Sequence, residues 1–146
     1  MVPGTMLMRG ARPGGPGARG RMMIYVPRDF AKRAAREHIA DPVLREAVDR
    51  AERGIVDARI GADLIKQRIA RDGAGRSGGF RTIIAYRKGD RAVFLHLFAK
   101  SAKANLSAAE ADAFRAVAKV LAGLDEAALG RLAAERGWRR IDDERT

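Results

Sequence analysis

Three short apolar runs decide the fold of this chain: LIKQRIA at residues 64–70, FRTIIAYR at residues 80–87 and RAVFLHLFA at residues 91–99. Each run is rich in β-branched and aromatic residues and has the length of a strand. The sequence KGD at residues 88–90 has the composition of a tight turn. The pattern therefore predicts an antiparallel meander of three strands.

A glycine-rich stretch, RDGAGRSGG at residues 71–79, separates the first two runs and predicts a loop. It lacks the lysine–hydroxyl ending of a P-loop, and no helix is predicted after it, so we exclude a nucleoside triphosphate site of that kind. Two interpretations stay open: a flexible hairpin connection, or a loop whose backbone amides approach a nucleic-acid phosphate.

Two helices are predicted before the meander, after a β-prone run at residues 23–26. The first spans about residues 28–39, and Asp41 is expected to cap the second, with Pro42 at its first helical position and Gly54 at its end. Because their connection is short, we expect a helical hairpin that packs on the sheet. The side chains expected to face the core are Phe30, Ala34, Ala35, Ile39, Val43, Leu44, Ala47, Val48 and Ala51.

Two further helices and a short strand are predicted after the meander. Ser107 and Glu110 form a capping box that opens one helix, and Asp125 caps another that ends near Gly137. Residues 138–141 suggest an edge strand. The inward side chains of the first helix are expected to be Phe114, Val117, Ala118 and Leu121. The fold class is therefore α+β, with C-terminal helices after a small antiparallel sheet.

The chain of 146 residues allows one domain, which we place at residues 22–146. Residues 1–21 hold glycine, proline and arginine without periodicity, which predicts a disordered extension. This segment is either an addition before a true start at Met22 or Met23, or a basic arm that binds nucleic acid.

Several functional classes are excluded or disfavoured by composition. The chain has no cysteine and only two histidines, so we expect no disulfide, no metal site and no cofactor. No apolar run approaches the roughly 20 residues that span a bilayer. The first residues carry arginine without the apolar segment of a signal peptide, so we expect a cytoplasmic protein without a membrane partner.

The formal net charge of +11 is concentrated in one block of the chain. Residues 64–105 contain ten basic residues against only Asp72 and Asp90, whereas the flanking parts of the predicted domain are nearly balanced. Such concentration is typical of a surface that binds phosphate groups, and RNA is the polyanion we favour. The alternative is a set of ordinary solvent-facing strand residues.

The basic residues of this block are expected to converge on one concave surface. Lys66 and Arg68 are two residues apart and share a strand face, while Gln67 points to the other. The further cations expected at this surface are Arg71, Arg76, Arg81, Lys100 and Lys103.

His96 alternates with Phe94 and Phe98, which favours a half-buried structural histidine over a catalytic base. Tyr25 and Tyr86 are interpreted as packing residues in preference to base-stacking ones.

Four segments together resemble the HigB-type branch of the RelE toxins, which are the toxins of type II toxin–antitoxin systems. They are LIKQRIA at 64–70, GRSGGFRT at 75–82, FLHLFAK at 94–100 and KAN at 103–105. The resemblance extends from about Met22 to Glu135. It implies a RelE-like fold and a metal-independent endoribonuclease that cleaves mRNA on the translating ribosome and inhibits translation.

The resemblance also implies roles for the basic residues. Lys66 and Arg68 match strand cations that activate the nucleophile or hold the phosphate, and Arg81 matches an arginine expected to stabilise the charge of the transition state. Lys100 is expected to bind RNA or donate a proton. The residues expected to contact RNA or ribosomal backbone are Arg71, Arg76 and Lys103. Arg76 stands where many relatives have lysine, which rules out proton transfer there near neutral pH.

The implied partners are mRNA, the ribosome and a cognate antitoxin, expected to be a helix-turn-helix protein whose complex with the toxin binds operator DNA. The chain lacks an obvious C-terminal catalytic tyrosine or histidine of the kind that some RelE toxins use. Two alternatives stay open: a ParE-like toxin that acts on DNA gyrase without nuclease activity, and a degenerate module that binds RNA or antitoxin.

Overall fold

The computed structural model describes residues 22–71, 75–100 and 106–141, and these form a six-stranded sheet with helices on both faces. The strands are β1 (Met23–Val26), β2 (Ala58–Gly61), β3 (Leu64–Arg71), β4 (Gly75–Arg87), β5 (Arg91–Ala99) and β6 (Arg139–Ile141). The helices are α1 (Arg28–Arg36), α2 (Asp41–Glu52), α3 (Ala108–Gly123) and α4 (Glu126–Arg136). The predicted α+β class is confirmed.

The strands lie in the order β2-β3-β4-β5-β1-β6. Strands β2 to β5 form an antiparallel meander, which confirms the prediction for its last three strands. Strand β1 lies between β5, to which it is parallel, and β6, to which it is antiparallel. Strand β6 is the predicted edge strand, whereas β2 was not predicted because its sequence ARIG is short and without a buried residue.

The predicted loop at residues 71–79 is wrong for residues 75–79, because β4 begins at Gly75. The β3–β4 ladder continues to a pair between Arg71 and Gly75 after a register shift. Hydrogen bonding to a neighbouring strand therefore overrides the low strand propensity of glycine. Residues 72–74 lie outside the described residues, as does the extension predicted at residues 1–21.

Helices α1 and α2 pack on one face of the sheet as the predicted hairpin. Phe30 of α1 contacts Phe94 of β5, with ring centroids 5.1 Å apart. Leu44 and Val48 of α2 are buried in the same cluster. Ala35 was expected to point inward but is exposed, because α1 buries the side of the helix that carries Phe30 and Ala34.

The start of α2 differs from the prediction. Asp41 is the first helical residue, Ala40 holds the cap position, and no side-chain capping bond is present there. The Asp41 carboxylate instead accepts two hydrogen bonds of 2.6 Å from Arg139 Nη1. Asp41 therefore joins α2 to the edge strand β6, a long-range contact that its local sequence does not indicate.

Helices α3 and α4 cover the other face and begin as predicted. The Ser107 hydroxyl accepts a hydrogen bond from the Glu110 amide at 3.1 Å, and Glu110 Oε1 accepts one from the Ser107 amide at 2.8 Å. Asp125 accepts a 2.8 Å bond from the amide of Ala128. Val117 was expected to be inward but its residue surface is 45% exposed, because α3 buries the side that carries Ala111, Ala118 and Leu121.

Three of the helices end in a residue with left-handed backbone geometry. These residues are His38 (φ 58°), Gly54 (φ 88°) and Gly137 (φ 69°). After α1, the amide of Ile39 donates to the carbonyl of Ala34 at 2.9 Å, which is the bond expected of this type of helix end. Histidine carries a Cβ atom that disfavours the conformation, whereas glycine does not.

We therefore expect His38→Gly to raise the free energy of unfolding by about 1 kcal/mol, because the strain at the end of α1 is relieved. Urea denaturation followed by circular dichroism measures this change. His38→Ala keeps the strain and serves as the control, with no gain expected. A loss of stability in His38→Gly would contradict the assignment of this helix end.

Among the described residues, every helix is too short or too polar to cross a lipid bilayer.

Candidate nucleic-acid interface

The strand alternation places three of the predicted site residues on the sheet face against which α3 packs. We call this surface the α3 face. Leu64 and Ile83 belong to the core beneath α3 and α4, while Ile65 and Ile69 belong to the core beneath α1 and α2. Side chains two residues apart on a strand share a face. Lys66 and Arg68 of β3 and Arg81 of β4 therefore lie on the α3 face, and buried Gln67 points the other way, as predicted.

The register brings the two arginines directly opposite each other. Arg68 pairs with Arg81 across β3 and β4, and Lys66 pairs with Ile83 in the neighbouring row. Directly opposite residues have Cβ atoms about 5 Å apart, and like charges at that distance are destabilising. The register thus brings two positive charges to neighbouring positions of the sheet, where an anion would reduce their repulsion.

Arg81 has an unsatisfied donor in the described part of the protein. Its Nη1 atom is buried and has no hydrogen-bond partner among the described residues. Burying a polar group without a partner costs free energy, and a charged group costs more.

Arg68 is held by an acidic residue that lies outside the basic block. Its side chain is 43% exposed, and its Nε atom lies 3.5 Å from Oδ1 of Asp57, just before β2. Oδ2 of Asp57 also accepts a hydrogen bond from the Arg68 amide. Asp57 was not among the predicted site residues, because only the pairing of β2 with β3 brings it to this edge of the sheet.

The remaining predicted site residues fall into two groups. Lys100 is exposed just after β5, and its amide donates a 3.2 Å hydrogen bond to the carbonyl of Gly79. Since Phe80 pairs with Ala99, Lys100 lies at the same end of the sheet as Arg81. For three predicted residues no side-chain placement is described: Arg71 and Arg76 at the ends of β3 and β4, and Lys103 outside the described residues.

Two arginines of the basic block contact the end of α3 instead of the candidate interface. Arg91 Nη1 donates to the carbonyls of Leu121 at 2.8 Å and Leu124 at 2.6 Å. Arg87 Nη1 donates to the carbonyl of Ala122 at 2.9 Å. These bonds satisfy carbonyls at a helix C-terminus, where positive charge is favourable. The charge count along the sequence therefore overstates the charge that is available to a ligand.

A β-bulge determines the direction of His96. Ile83 pairs with His96 and Ile84 pairs with Phe94, so Leu95 is an extra residue in β5. Phe94 consequently points to α1, while His96 lies on the α3 face. The expected half-burial of His96 is confirmed, but its expected alternation with Phe94 is wrong because a bulge interrupts the two-residue period.

The imidazole of His96 contacts two phenyl rings. Its centroid is 5.4 Å from that of Phe98, at an interplanar angle of 29°. On α3, the Phe114 ring lies 5.3 Å away at 28°. Both neighbours are stacked, so this group joins β5 to α3 beside the cations of the α3 face.

The two tyrosines are packing residues, as predicted. Both are buried, with relative exposures of 6%. The Tyr86 hydroxyl donates to Glu52, and burial, reinforced by that carboxylate, raises the pKa of Tyr86 above its usual value. Tyr25 lies 6.2 Å from the half-buried Trp138 ring. Within the described ranges, no three histidine, aspartate or glutamate side chains come together as metal ligands.

The family comparison agrees with this fold. Residues 22–141 match the model of the RelE toxin of the RelE/RelB toxin–antitoxin system. The chain therefore belongs to the RelE toxin family and is the toxin of a toxin–antitoxin pair, which implies an antitoxin partner. No curated protein matches the chain.

Proposed function

We propose that this toxin is a HigB-like, ribosome-dependent mRNA endoribonuclease that inhibits translation. The observation that carries the proposal is the pair formed by Arg68 and Arg81, which face each other across two strands. The buried and unpartnered Nη1 atom of Arg81, within the described residues, supports it further. Such a pair is suited to bind a phosphate with a developing negative charge.

The proposed reaction is the attack of a ribose 2′-hydroxyl on the adjacent phosphate. Arg68 and Lys66 hold the phosphate and help to activate the hydroxyl, and Arg81 stabilises the additional charge of the phosphorane. Lys100 protonates the leaving 5′-oxygen or holds the RNA. We also propose backbone contacts to RNA or ribosome for the remaining cations, which are Arg71, Arg76 and Lys103. No metal ion takes part in this scheme.

The antitoxin is proposed to be a helix-turn-helix protein that covers the α3 face or blocks its entry into the ribosome. The complex of the two proteins is proposed to bind operator DNA. We further propose that residues 22–146 form the active domain and that residues 1–21 are dispensable. The side chains of the opposed arginines lie on the α3 face and not on the face that the α1–α2 hairpin covers, which favours RNA over gyrase as the target.

Induced expression of the full chain in a bacterial host tests this function, with growth and the 5′ ends of mRNA as the two measurements. We expect growth arrest together with new mRNA 5′ ends. Lys66→Ala should reduce both effects, whereas Lys32→Ala should not, because Lys32 is an exposed lysine on α1, on the opposite side of the sheet. Arrest without new ends would point to gyrase, and absence of arrest would favour a binding module.

A further inference from the structure

The outer side of α3, which points away from the sheet, is apolar along most of the helix. Its exposed apolar residues recur at every third or fourth position, so they share one side of the helix. They are Ala109, Ala113, Ala116, Val117 and Val120. We call this surface the outer stripe of α3.

The outer stripe holds two of the three large hydrophobic side chains that are exposed in the described part of the chain. Val117 is 45% exposed and Val120 is 64% exposed, whereas the third, Ile55, lies between α2 and β2. Single exposed apolar residues are normal, but a contiguous group marks a surface that binds a partner. A helix that packs only on its own sheet needs one apolar side, and α3 has two.

One border of the outer stripe is positively charged. Arg115 and Lys119 lie one turn apart along this border, and both are exposed. Arg115 donates to the carbonyl of Ile60 at 2.6 Å and forms an ion pair with Asp112 at 2.9 Å. Lys119 makes no ion pair with any described residue. Lys119 is therefore the cation of this border that is available to an acidic partner.

An open cavity of about 330 Å³ lies beside the same border, between α3 and the turn from β2 to β3. Arg115 and Lys119 line it from the helix, and Asp63 lines it from the turn. A segment bound along the outer stripe could place a side chain in this cavity. The stripe and the cavity thus form one continuous surface on the outside of the sheet layer.

The family of the chain and its charge identify the occupant. The chain is the toxin of a toxin–antitoxin pair, which implies an antitoxin partner. A second copy is disfavoured, because each copy carries a net charge of +11 and the two would repel. The stripe is also only about 16 Å long, whereas a stable dimer buries about 800 Å² per partner. A flexible segment that folds on binding can instead continue over the neighbouring surface.

We propose that an amphipathic helix of the antitoxin binds along the outer stripe of α3, with an acidic residue paired to Lys119. The proposal rests on the family membership of the chain, and only its effect on translation rests on the proposed function. Apolar side chains of the antitoxin pack on Val117 and Val120, and the alanines let the two helices approach closely. Arg68 and Arg81 stay uncovered. The antitoxin therefore neutralises the toxin by keeping it out of the ribosome.

The test is the affinity of the full-length chain for the protein encoded by the gene next to its own, measured by isothermal titration calorimetry. The double variant Val117→Asp/Val120→Asp places two charges in the apolar contact and should weaken binding at least about 100-fold. Lys119→Glu should weaken binding less strongly, because the ion pair lies at the border of the contact. Cleavage of mRNA by these variants, in the absence of the antitoxin, should equal that of the wild type.

Ile55→Asp is the matched control, because Ile55 is 50% exposed but lies outside α3. The same change of side chain there should leave the affinity unchanged. Ala116→Gln provides for the case in which the double variant does not fold, since glutamine is a good helix former. Its longer side chain holds the antitoxin helix away from α3, so it should also weaken binding. Circular dichroism verifies the fold of each variant.

Wild-type affinity in the folded double variant or in Ala116→Gln would overturn the inference. An equal loss of affinity in Ile55→Asp would do the same, and so would a loss in Arg81→Ala alone, which would place the antitoxin on the α3 face. A wild-type dimer that the double variant converts to a monomer would assign the outer stripe to a second copy and also overturn it. Failure of the wild type to cleave mRNA, with the affinity changes as expected, would refute only the proposed nuclease function.

Discussion

Replacement of Arg81 by alanine is expected to lower mRNA cleavage at least about 100-fold, the effect of removing one preorganised donor to a developing charge. Growth arrest should disappear with it. The free energy of unfolding should stay the same or rise slightly. The substitution removes a buried Nη1 atom that has no hydrogen-bond partner among the described residues, and it removes the like-charge repulsion between Arg81 and Arg68. This combination of lost activity and retained stability is typical of a residue placed for function.

Arg59→Ala is the matched control for this experiment. Arg59 is an exposed strand arginine, and its pairing with Ile65 puts it on the face that α1 and α2 cover. Its loss should leave cleavage unchanged. Arg81→Lys keeps the charge but not the two-pronged donor geometry, so we expect only partial activity. If urea denaturation gave a clearly lower free energy of unfolding for Arg81→Ala than for the wild type, the assignment of Arg81 to a ligand-binding face would be contradicted.

Gln67→Leu is expected to lower the free energy of unfolding by about 3 kcal/mol, since several buried polar groups lose their partners. Gln67 has 0% exposure. Its Nε2 atom donates to the carbonyls of Ala47 at 2.9 Å and Ile55 at 3.1 Å. Its Oε1 atom accepts a 2.8 Å bond from the amide of Asp57. One side chain thus connects β3 to α2 and to the segment before β2.

Thr82→Val is the control, because Thr82 is equally buried but its side chain makes a single hydrogen bond among the described residues, of 3.0 Å, to the carbonyl of His96. Thr82→Val should lower the free energy of unfolding by about 1 kcal/mol. Urea denaturation followed by circular dichroism gives both values. If Gln67→Leu and Thr82→Val lowered the free energy of unfolding by the same amount, the three hydrogen bonds of Gln67 would not act together as described.

The sequence predicted the features that depend on neighbouring residues. The capping box of Ser107 and Glu110 and the cap formed by Asp125 are both confirmed. Strand alternation correctly separated Lys66 and Arg68 from Gln67. These signals are short-range, since a capping bond spans three residues and a strand face repeats every two.

The features that the sequence did not predict depend on distant partners. Asp41 looks like a helix cap but binds Arg139, which lies 98 residues away in the chain. Residues 75–79 look like a loop but pair with β3. The bulge at Leu95 moves Phe94 and His96 to different faces, and no turn residue marks it in the sequence. Local propensity is too weak to decide such positions once a neighbouring strand is present.

The candidate site was predictable in part. The sequence indicated which residue types to examine, and the register shows that Arg68 and Arg81 face each other. Charge counting failed in two ways. It included Arg91, which binds the C-terminus of α3, and it missed Asp57, which reaches Arg68 only through the pairing of β2 with β3.

The position of β1 between β5 and β6 has a consequence for the order of folding during synthesis. Strand β1 is made before the rest of the sheet, but Ile24 pairs with Ala92 and with Ile141. The meander of β3, β4 and β5 closes through short connections and can form while the chain is still growing. Strand β1 has to wait for partners that leave the exit tunnel much later. The sheet is therefore completed only after β6 has been synthesised.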